Sequence, residues 1–535
     1  VGDRVATALS RSVDAVTGIF AVLQVGAAYV PVDPAGPADR VRHILSQSRA
    51  RAVLTDVDAR ELRALVGENL PILPMRALED YESTASMATA PVREPRPDDA
   101  AYIVHTSGST GEPKGVVVTR ANVSAMLTAY RIAVLDEIDR SDTGRELTAA
   151  HLSAWTFDAS WDPLAWLLNG HHLHIIDEET RTDPEALCAY LSDARIDYFD
   201  TTPSYLEQLV TAGLLDEGHH RQTVLTVGAE ALGSTLHHRL AAAGIPAVLN
   251  FYGPTESTVN STVWRVTDGE RPLIGRPVAG LTAHVLDDRL RPVPAGVRGE
   301  LYLSGANVAA CYDNMPRLTA ERFVACPGAD GARMYRTGDL VRWTGELQLE
   351  FLGRNDNQVK VRGFRIELGE VESALTALPD VARAAVAVRE DVPGVRRLVG
   401  YVVPDSGASL DMVTLRSMLR EVVPEYMVPQ ALVPLPLSST GKTVRALLPP
   451  PPDEAFSTAA FVAPEGDTQT RLAAIWAQQL GVSRVGAHDN FFDLGGDSIL
   501  SIRLVSQIRA AGWEVTTKDL FTYQTVESLA AALDQ

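Results

Sequence analysis

The chain has 535 residues, 46% of them hydrophobic, enough to bury several cores and to predict three or four structural units. Its 68 acidic residues outnumber its 48 basic ones, a formal charge of −20 that predicts a soluble, self-repelling surface and excludes a nucleic-acid backbone as partner. The three cysteines, Cys188, Cys311 and Cys326, are too few and too scattered for a disulfide framework or a CxxC metal site; no apolar run reaches the length of a membrane helix, and no signal peptide is evident. The expected setting is the cytoplasm, with no membrane partner.

The chain opens on VGDRVATALSRSVDAV, without methionine and inside what reads as a domain, so an N-terminal part of that domain is expected to be missing. Through 1–352, β-branched runs such as AVLT, HLHIID and LTAHVLD alternate with helical stretches such as DAVTGIFAVLQVGA, the pattern of a large layered α/β domain. The pattern restarts on a smaller scale over 353–452. Strands are expected near QVKVRG, AAVAVRE and RLVGYVVP, and helices near GEVESALTAL and LDMVTLRSMLREVV, which together make a compact α+β lid. The proline-rich tract around 453–466 reads as an extended linker. Over 467–535, three- and four-residue apolar spacing predicts an all-α bundle of about four short helices.

The segment from His105 to Gly115, HTSGSTGEPKG, follows the strand-like AYIV and places hydroxyls and glycines ahead of Lys114. Backbone amides and hydroxyls in such a loop can wrap phosphate oxygens, since glycine permits close approach and lysine adds charge. The same residues would also suit a plain surface loop, and the GxxxxGK[ST] spacing of a Walker A motif is absent. The groups HHLH (His171 to His174) and His219-His220 lack a matching partner set for zinc, and HHLHIID reads more simply as a strand.

The loop occurs with other motifs in fixed order: VGAAYVPVDP, FDAS, NFYGPTES, GELYLSG, YRTGDL, GRNDNQVKVRGFRIELGEVE, VPEYMVP and STGK. Through these the chain resembles the adenylation domains of non-ribosomal peptide synthetases, in the adenylate-forming superfamily, over almost everything before the linker. DNFFDLGGDSILSIRL resembles a peptidyl carrier (thiolation) domain. The resemblance implies an ATP-dependent ligase of antibiotic and secondary-metabolite biosynthesis: an α/β adenylation core, a mobile lid and a four-helix carrier. It also implies that an amino acid is activated as aminoacyl-AMP and then thioesterified to the carrier.

The resemblance further implies roles residue by residue. Thr106, Ser107, Gly108, Ser109, Thr110 and Gly111 would grip the pyrophosphate of ATP beside Lys114. Glu256 would ligate Mg2+, Tyr252 would border the adenine, Asp339 would accept the ribose hydroxyls, and Arg354 would add a nucleotide contact. Lys442 of STGK would bridge the substrate carboxylate and the α-phosphate where negative charge develops. A lone lysine there would otherwise read as a solvated charge, and the usual aspartate after it is replaced by Val444. The lid would rotate about Asp356, presenting Lys442 for activation and the GFRIELGE face for transfer. Ser498, which alone would read as a helix cap, would carry 4′-phosphopantetheine installed by a phosphopantetheinyl transferase. Neighbouring condensation domains are implied as partners. Asp497, giving LGGDS, hints at an epimerisation domain, and synthetases of this type often need an MbtH-like helper protein.

Asp158 resembles the carboxylate that pairs with the substrate α-ammonium. Motif alignment lines the side-chain pocket with Ala159, Trp161, Asp200, Thr226, Gly228, Phe251, Val259 and Asn260. Because FDASWDPLAW is one residue short of the common pattern, either Trp161 or Asp162 would face it. Asp200 favours a basic or polar amino acid, since an apolar side chain would leave it unpaired. If it pairs internally or is protonated, an aromatic or hydroxylated substrate is the alternative. A stand-alone acyl or aryl ligase and an inactive recruitment module are the rival readings of the chain.

Overall fold

The computed structural model describes residues 2–67, 70–75, 94–108, 112–139, 146–216, 222–328, 331–356, 358–361, 363–392, 395–405, 408, 410–435, 445, 448–456, 461–492, 494–496 and 498–534. Two seven-stranded sheets build the large domain. In the first, Ala28–Pro31, Arg4–Ala8, Ala52–Thr55 and Ile72–Pro74 run parallel, and Ala100–Thr106 joins them before the chain reverses into Lys114–Thr119. In the second, His172–Ile175, Thr148–His151, Tyr198–Thr201, Val224–Val227 and Ala247–Tyr252 run parallel, with antiparallel edges at Thr262–Arg265 and Arg276–Pro277. Ala28–Pro31 and Val224–Val227 are buried along their whole length, as central parallel strands covered on both faces must be.

Helices begin where the sequence offers caps. Ser12 accepts from the Ala15 amide ahead of Val13–Gln24, Asp183 accepts from Glu185 and Ala186 ahead of Pro184–Asp193, and Thr202 does the same before Pro203–Thr211. Between the sheets lies an aromatic core in which Trp166 stacks on Tyr198 and Phe251 stacks on Tyr130.

An antiparallel sheet of Leu281–Leu286, Gly299–Gly305, Arg333–Trp343, Phe323–Ala325 and Leu349–Arg354 follows. The lid holds the hairpin Gln358–Val361/Phe364–Glu367 and a sheet of Val381–Val392, Val395–Pro404 and Ala431–Pro434, packed by the helices Leu368–Thr376 and Met412–Arg420. The tract expected to be extended makes one helical turn at Asp453–Phe456. Its Phe456, with Leu448 just before the tract, buries against Val433 of the lid sheet and the following Leu435, a packing that proline content alone conceals.

Among the described residues, four helices follow: Gly466–Leu480, Ser498–Ala510, Thr517–Thr522 and Val526–Leu533, around Trp476, Phe491 and Leu504. Gly481 ends the first of them in a left-handed C-cap. Among the described residues no helix is long and apolar enough to cross a membrane.

Candidate active site

Strand registers bring together motifs that are distant in sequence. Thr106 and Lys114 are cross-strand partners, so the hydroxyl-rich turn and its lysine face one space. At Gly108 an added Cβ would fall 1.9 Å from the Glu112 carbonyl oxygen, so only glycine permits this turn. The Thr106 hydroxyl is buried with no partner, a donor and acceptor suited to a phosphate oxygen. Ser109, Thr110 and Gly111 lie outside the described residues.

Glu256 sits in the helical turn Thr255–Ser257 after the strand Ala247–Tyr252. The chain folds back there: an added Cβ at Gly253 would lie 1.9 Å from the Val259 carbonyl oxygen. Thr258 and Val259 take left-handed conformations with φ of 57° and 66°. Such geometry is costly for β-branched residues and collects at functional sites. Glu256 is fully buried. Its Oε1 accepts from the Tyr312 hydroxyl at 2.6 Å and lies 3.5 Å from Lys114 Nζ, while Oε2 accepts from Arg365 at 2.8 Å. Burial alone would raise this carboxyl, but the Arg365 guanidinium and the Lys114 ammonium outweigh it and hold Glu256 far below the usual carboxylate range. Lys114 is lowered to about 8 by burial first and by Arg365 second, against the pull of Glu256.

Asp339 and Arg354 are opposite residues on neighbouring strands, which explains why YRTGDL and GRND meet. Asp339 accepts from Arg354 and from the Tyr252 hydroxyl, both at 2.5 Å. Arg354 also grips both oxygens of Asp356 at 2.7 and 2.8 Å, so the expected hinge residue is tied to the expected nucleotide contact. Lys360, from the lid, stands 5.8 Å from the centre of the Tyr252 ring.

In the pocket region, Asp158 Oδ2 is buried with no partner, and burial raises this carboxyl to about 6. Asp200, on Tyr198–Thr201 and in register with Thr226, accepts from Ser153 at 2.7 Å through Oδ2, while its Oδ1 has no partner; burial raises it to about 6 as well. Asp162 takes both its bonds from the Asn260 amide, at 2.8 and 3.0 Å, and burial followed by Asp200 raises it well above the usual range. Thr226 meets the Tyr198 hydroxyl at 3.2 Å, Phe251 and Val259 are buried, and Ala159 and Gly228 are half-buried.

Of Trp161 and Asp162, the two alternatives open at this position, the core takes Trp161. Trp161 turns into the core, donates to the Tyr29 hydroxyl at 2.8 Å and stacks on Tyr102, because Trp161 and Asp162 are consecutive on one helix and must point apart. It is Asp162 that faces Asn260. HHLH forms the strand His172–Ile175; His219, His220 and Lys442 lie outside the described residues, as does the side chain of Ser498, whose backbone opens a helix.

Other site residues were not singled out from sequence. Tyr312 carried no motif signal. Arg365 and Glu370 stood inside a quoted motif, but only the fold shows that they enter the site: Ser107 Oγ donates to the Arg365 carbonyl at 2.8 Å, and the Gly108 amide donates to Glu370 Oε2 at 3.0 Å. Phe364 of the same segment packs on Phe157.

This cradle, under a lid and beside a four-helix domain, has the form of an adenylate-forming enzyme. Residues 1–313 match the AMP-binding enzyme family, 370–442 its C-terminal domain and 470–533 the phosphopantetheine attachment site family. The chain belongs to the AMP-binding enzymes, as an adenylation domain joined to a carrier domain. It is 42% identical to a linear gramicidin synthase polypeptide of Brevibacillus parabrevis over 99% of its own length and 10% of that protein. It is 40% identical to a dimodular nonribosomal peptide synthase of Bacillus subtilis (strain 168), over 99% of the chain and 22% of that protein. The chain thus spans a tenth to about a fifth of these relatives. Among solved structures, a holo nonribosomal peptide synthetase protein with adenylation and PCP domains, bound to a vinylsulfonamide inhibitor, matches with a TM-score of 0.79 at 26% identity, over 99% of this chain and 88% of that one. A four-domain synthetase bound to AMP and glycine matches with a TM-score of 0.57 at 32% identity, over 100% of this chain and 39% of that one.

The family matches imply ATP with Mg2+ and a 4′-phosphopantetheine arm on a carrier serine. Lys114 and the unpartnered Thr106 hydroxyl fit a nucleotide phosphate. Glu256 as disposed here does not fit a metal: protein donors hold both its oxygens, and among the described residues no group of three or more His, Cys, Asp or Glu gathers at one point.

Proposed function

We propose that the chain activates an amino acid with ATP and passes it to its own carrier domain. A carboxylate oxygen of the amino acid attacks the α-phosphorus, the bond to the β-phosphate breaks, and pyrophosphate leaves. The pantetheine thiolate then attacks the acyl carbon, the bond to the AMP oxygen breaks, AMP leaves, and the thiol proton goes to solvent. One observation supports this reading above others: the lid face Phe364–Glu367 lies against the phosphate loop and Glu256 while the carrier helix Ser498–Ala510 rests on the core through Arg509, as the second step requires. The domain division behind it is 1–352, 353–452, 453–466 and 467–535. Thr106 to Gly111 and Lys114 hold phosphate, Tyr252, Asp339 and Arg354 hold the nucleoside, Asp356 is the hinge, Lys442 serves the first step, and Ser498 bears the arm.

The substrate is a basic or polar amino acid. Two carboxylate oxygens, on Asp158 and Asp200, are buried without partners, whereas Asp162 is satisfied by Asn260. Asp158 takes the α-ammonium and Asp200 a donor on the side chain. The working setting is a cytoplasmic synthetase with condensation and epimerisation neighbours, an MbtH-like helper and a phosphopantetheinyl transferase. The test is amino-acid-dependent ATP–pyrophosphate exchange over a panel of arginine, lysine, ornithine, threonine, asparagine, tyrosine and phenylalanine, with the loaded carrier weighed by intact-protein mass spectrometry. Exchange led by a cationic or polar residue supports the pocket reading. An aromatic leader moves the assignment to a protonated Asp200, and no exchange with any amino acid, helper included, leaves an inactive module.

A further inference from the structure

The turn between the strand Arg4–Ala8 and the helix Val13–Gln24 belongs to the first sheet, yet it grips the loop that follows Thr148–His151 of the second. Arg11 donates to the His151 carbonyl at 3.4 Å and to the Leu152 carbonyl, and the Ser10 carbonyl takes the Trp155 indole N–H at 3.1 Å. The loop is thus held on both sides of Ser153. The Arg11 side chain is only 10% exposed, and Glu178, which takes its Nε at 3.1 Å and also pairs with Arg181, fixes the guanidinium from outside.

Ser153 donates its hydroxyl to Asp200 Oδ2 at 2.7 Å, which sets the plane of that carboxyl and leaves Oδ1 as the buried oxygen without a partner. Asp158, the other carboxyl with an orphaned oxygen, stands further along the same stretch of chain. Burial raises Asp200, and the Ser153 hydroxyl and, more weakly, the Arg11 charge oppose that rise.

We infer that Ser153 is a specificity-determining residue of the amino-acid pocket and that Arg11 is the positioning residue that sets it there. The inference rests on the reading of Asp200 as the acceptor for the substrate side chain, and it names what makes Asp200 one. A carboxyl with both oxygens free can turn to another donor or take up a proton, and either admits a neutral side chain. A hydroxyl bonded to one oxygen favours the ionised form and aims the other. Arg11 acts through main-chain carbonyls, so it sets where the loop lies and not which residues the loop carries.

The experiment measures kcat/KM for ATP–pyrophosphate exchange on the full chain with lysine against norleucine, arginine against citrulline, and threonine against valine. The readout is the ratio within the leading pair. Ser153→Ala is expected to lower that ratio roughly tenfold, with the KM for ATP unchanged, because a buried carboxylate loses a bond that favours its charged form. Ser153→Thr keeps the hydroxyl and should keep the ratio of the unmodified protein. Arg11→Ala should lower the ratio too, and should lower it no further in a chain that already carries Ser153→Ala. Arg11→Lys retains a donor for the Leu152 carbonyl and takes its place if Arg11→Ala does not fold. A ratio unchanged in Ser153→Ala, an equal loss in Ser153→Thr, or a loss in Ser153→Ala shared by both members of the pair would overturn the inference. Asp200→Asn separates it from the reading beneath it. If Asp200→Asn abolishes a preference that Ser153→Ala leaves intact, the pocket reading stands and the role of Ser153 falls. A chain without preference, or with one that Asp200→Asn leaves intact, loses the pocket reading and this inference with it.

Discussion

Replacing Arg509 by glutamate perturbs one of the two ion-pair contacts that seat the carrier helix on the core, the other being Arg503 with Glu207 at 3.9 Å. Arg509, near the end of the helix Ser498–Ala510, reaches across to Asp183 at 3.0 Å and Glu185 at 2.6 Å, while its Nε stays bonded to the Val515 carbonyl of the carrier. Side-chain exposures of 27% for Arg509, 16% for Asp183 and 48% for Glu185 make this stronger than an open surface pair, yet still screened. Truncation to alanine should remove about 1–2 kcal/mol of docking, roughly five- to thirtyfold in docked population. Reversal to glutamate adds repulsion from two carboxylates and should bring the loss to about 3 kcal/mol, roughly a hundredfold. The assay is single-turnover transfer from preformed adenylate to the pantetheine arm, beside ATP–pyrophosphate exchange, which needs no docked carrier. Transfer should fall while exchange holds, and adding Glu185→Arg should restore part of the transfer in Arg509→Glu. Asp183 is left alone because it also caps Pro184–Asp193. Transfer at the unmodified rate in Arg509→Glu, or exchange falling in step with it, would refute the docking role.

Other expectations follow from the buried acids and the lid. Asp200 has a carboxyl raised to about 6 by burial, above its unfolded value, so the native state binds more protons than the unfolded one between about pH 4 and 6, and stability falls as pH rises through that window. Asp200→Asn should therefore melt higher than the unmodified protein at pH 7.5, with the difference gone at pH 4; an equal gain at both pH values would point to a packing effect. Asp158 is raised to about 6 for the same reason, so the KM for the amino acid in the exchange assay should climb as pH falls through about 6. Trp161→Phe removes the bond to Tyr29 and should lower stability by about 1 kcal/mol, read by thermal melting, without altering amino-acid preference. Arg445 pairs with Glu372 at 2.5 Å and bonds the Val386 carbonyl at 3.2 Å, three positions after Lys442. Arg445→Ala should cut kcat for exchange by roughly ten- to a hundredfold through misplacement of that lysine, with KM for the amino acid nearly constant.

Legibility from sequence divides along the range of the interactions. The hydrophobic period located the strands Ala52–Thr55, His172–Ile175 and Leu281–Leu286 and the four carrier helices, because burial of one face is a local property of the chain. The motif order singled out Thr106, Lys114, Glu256 and Asp339, and the fold sets Lys114 beside Glu256 and Asp339 beside Tyr252. The direction of Trp161 was not legible: a one-residue deletion in FDASWDPLAW shifts the helix by about 100°, and only the core aromatics Tyr29 and Tyr102 decide which neighbour turns inward. Arg365 and Glu370 illustrate a further limit. Their type is written in GFRIELGE, yet their partners lie far away in sequence, Glu256 for Arg365 and Gly108 for Glu370, so the contacts are set by the fold and not by the local sequence. The lid residues at Glu256 and Gly108 thus emerge only from geometry, whereas Lys442, which lies outside the described residues, is known from its motif alone.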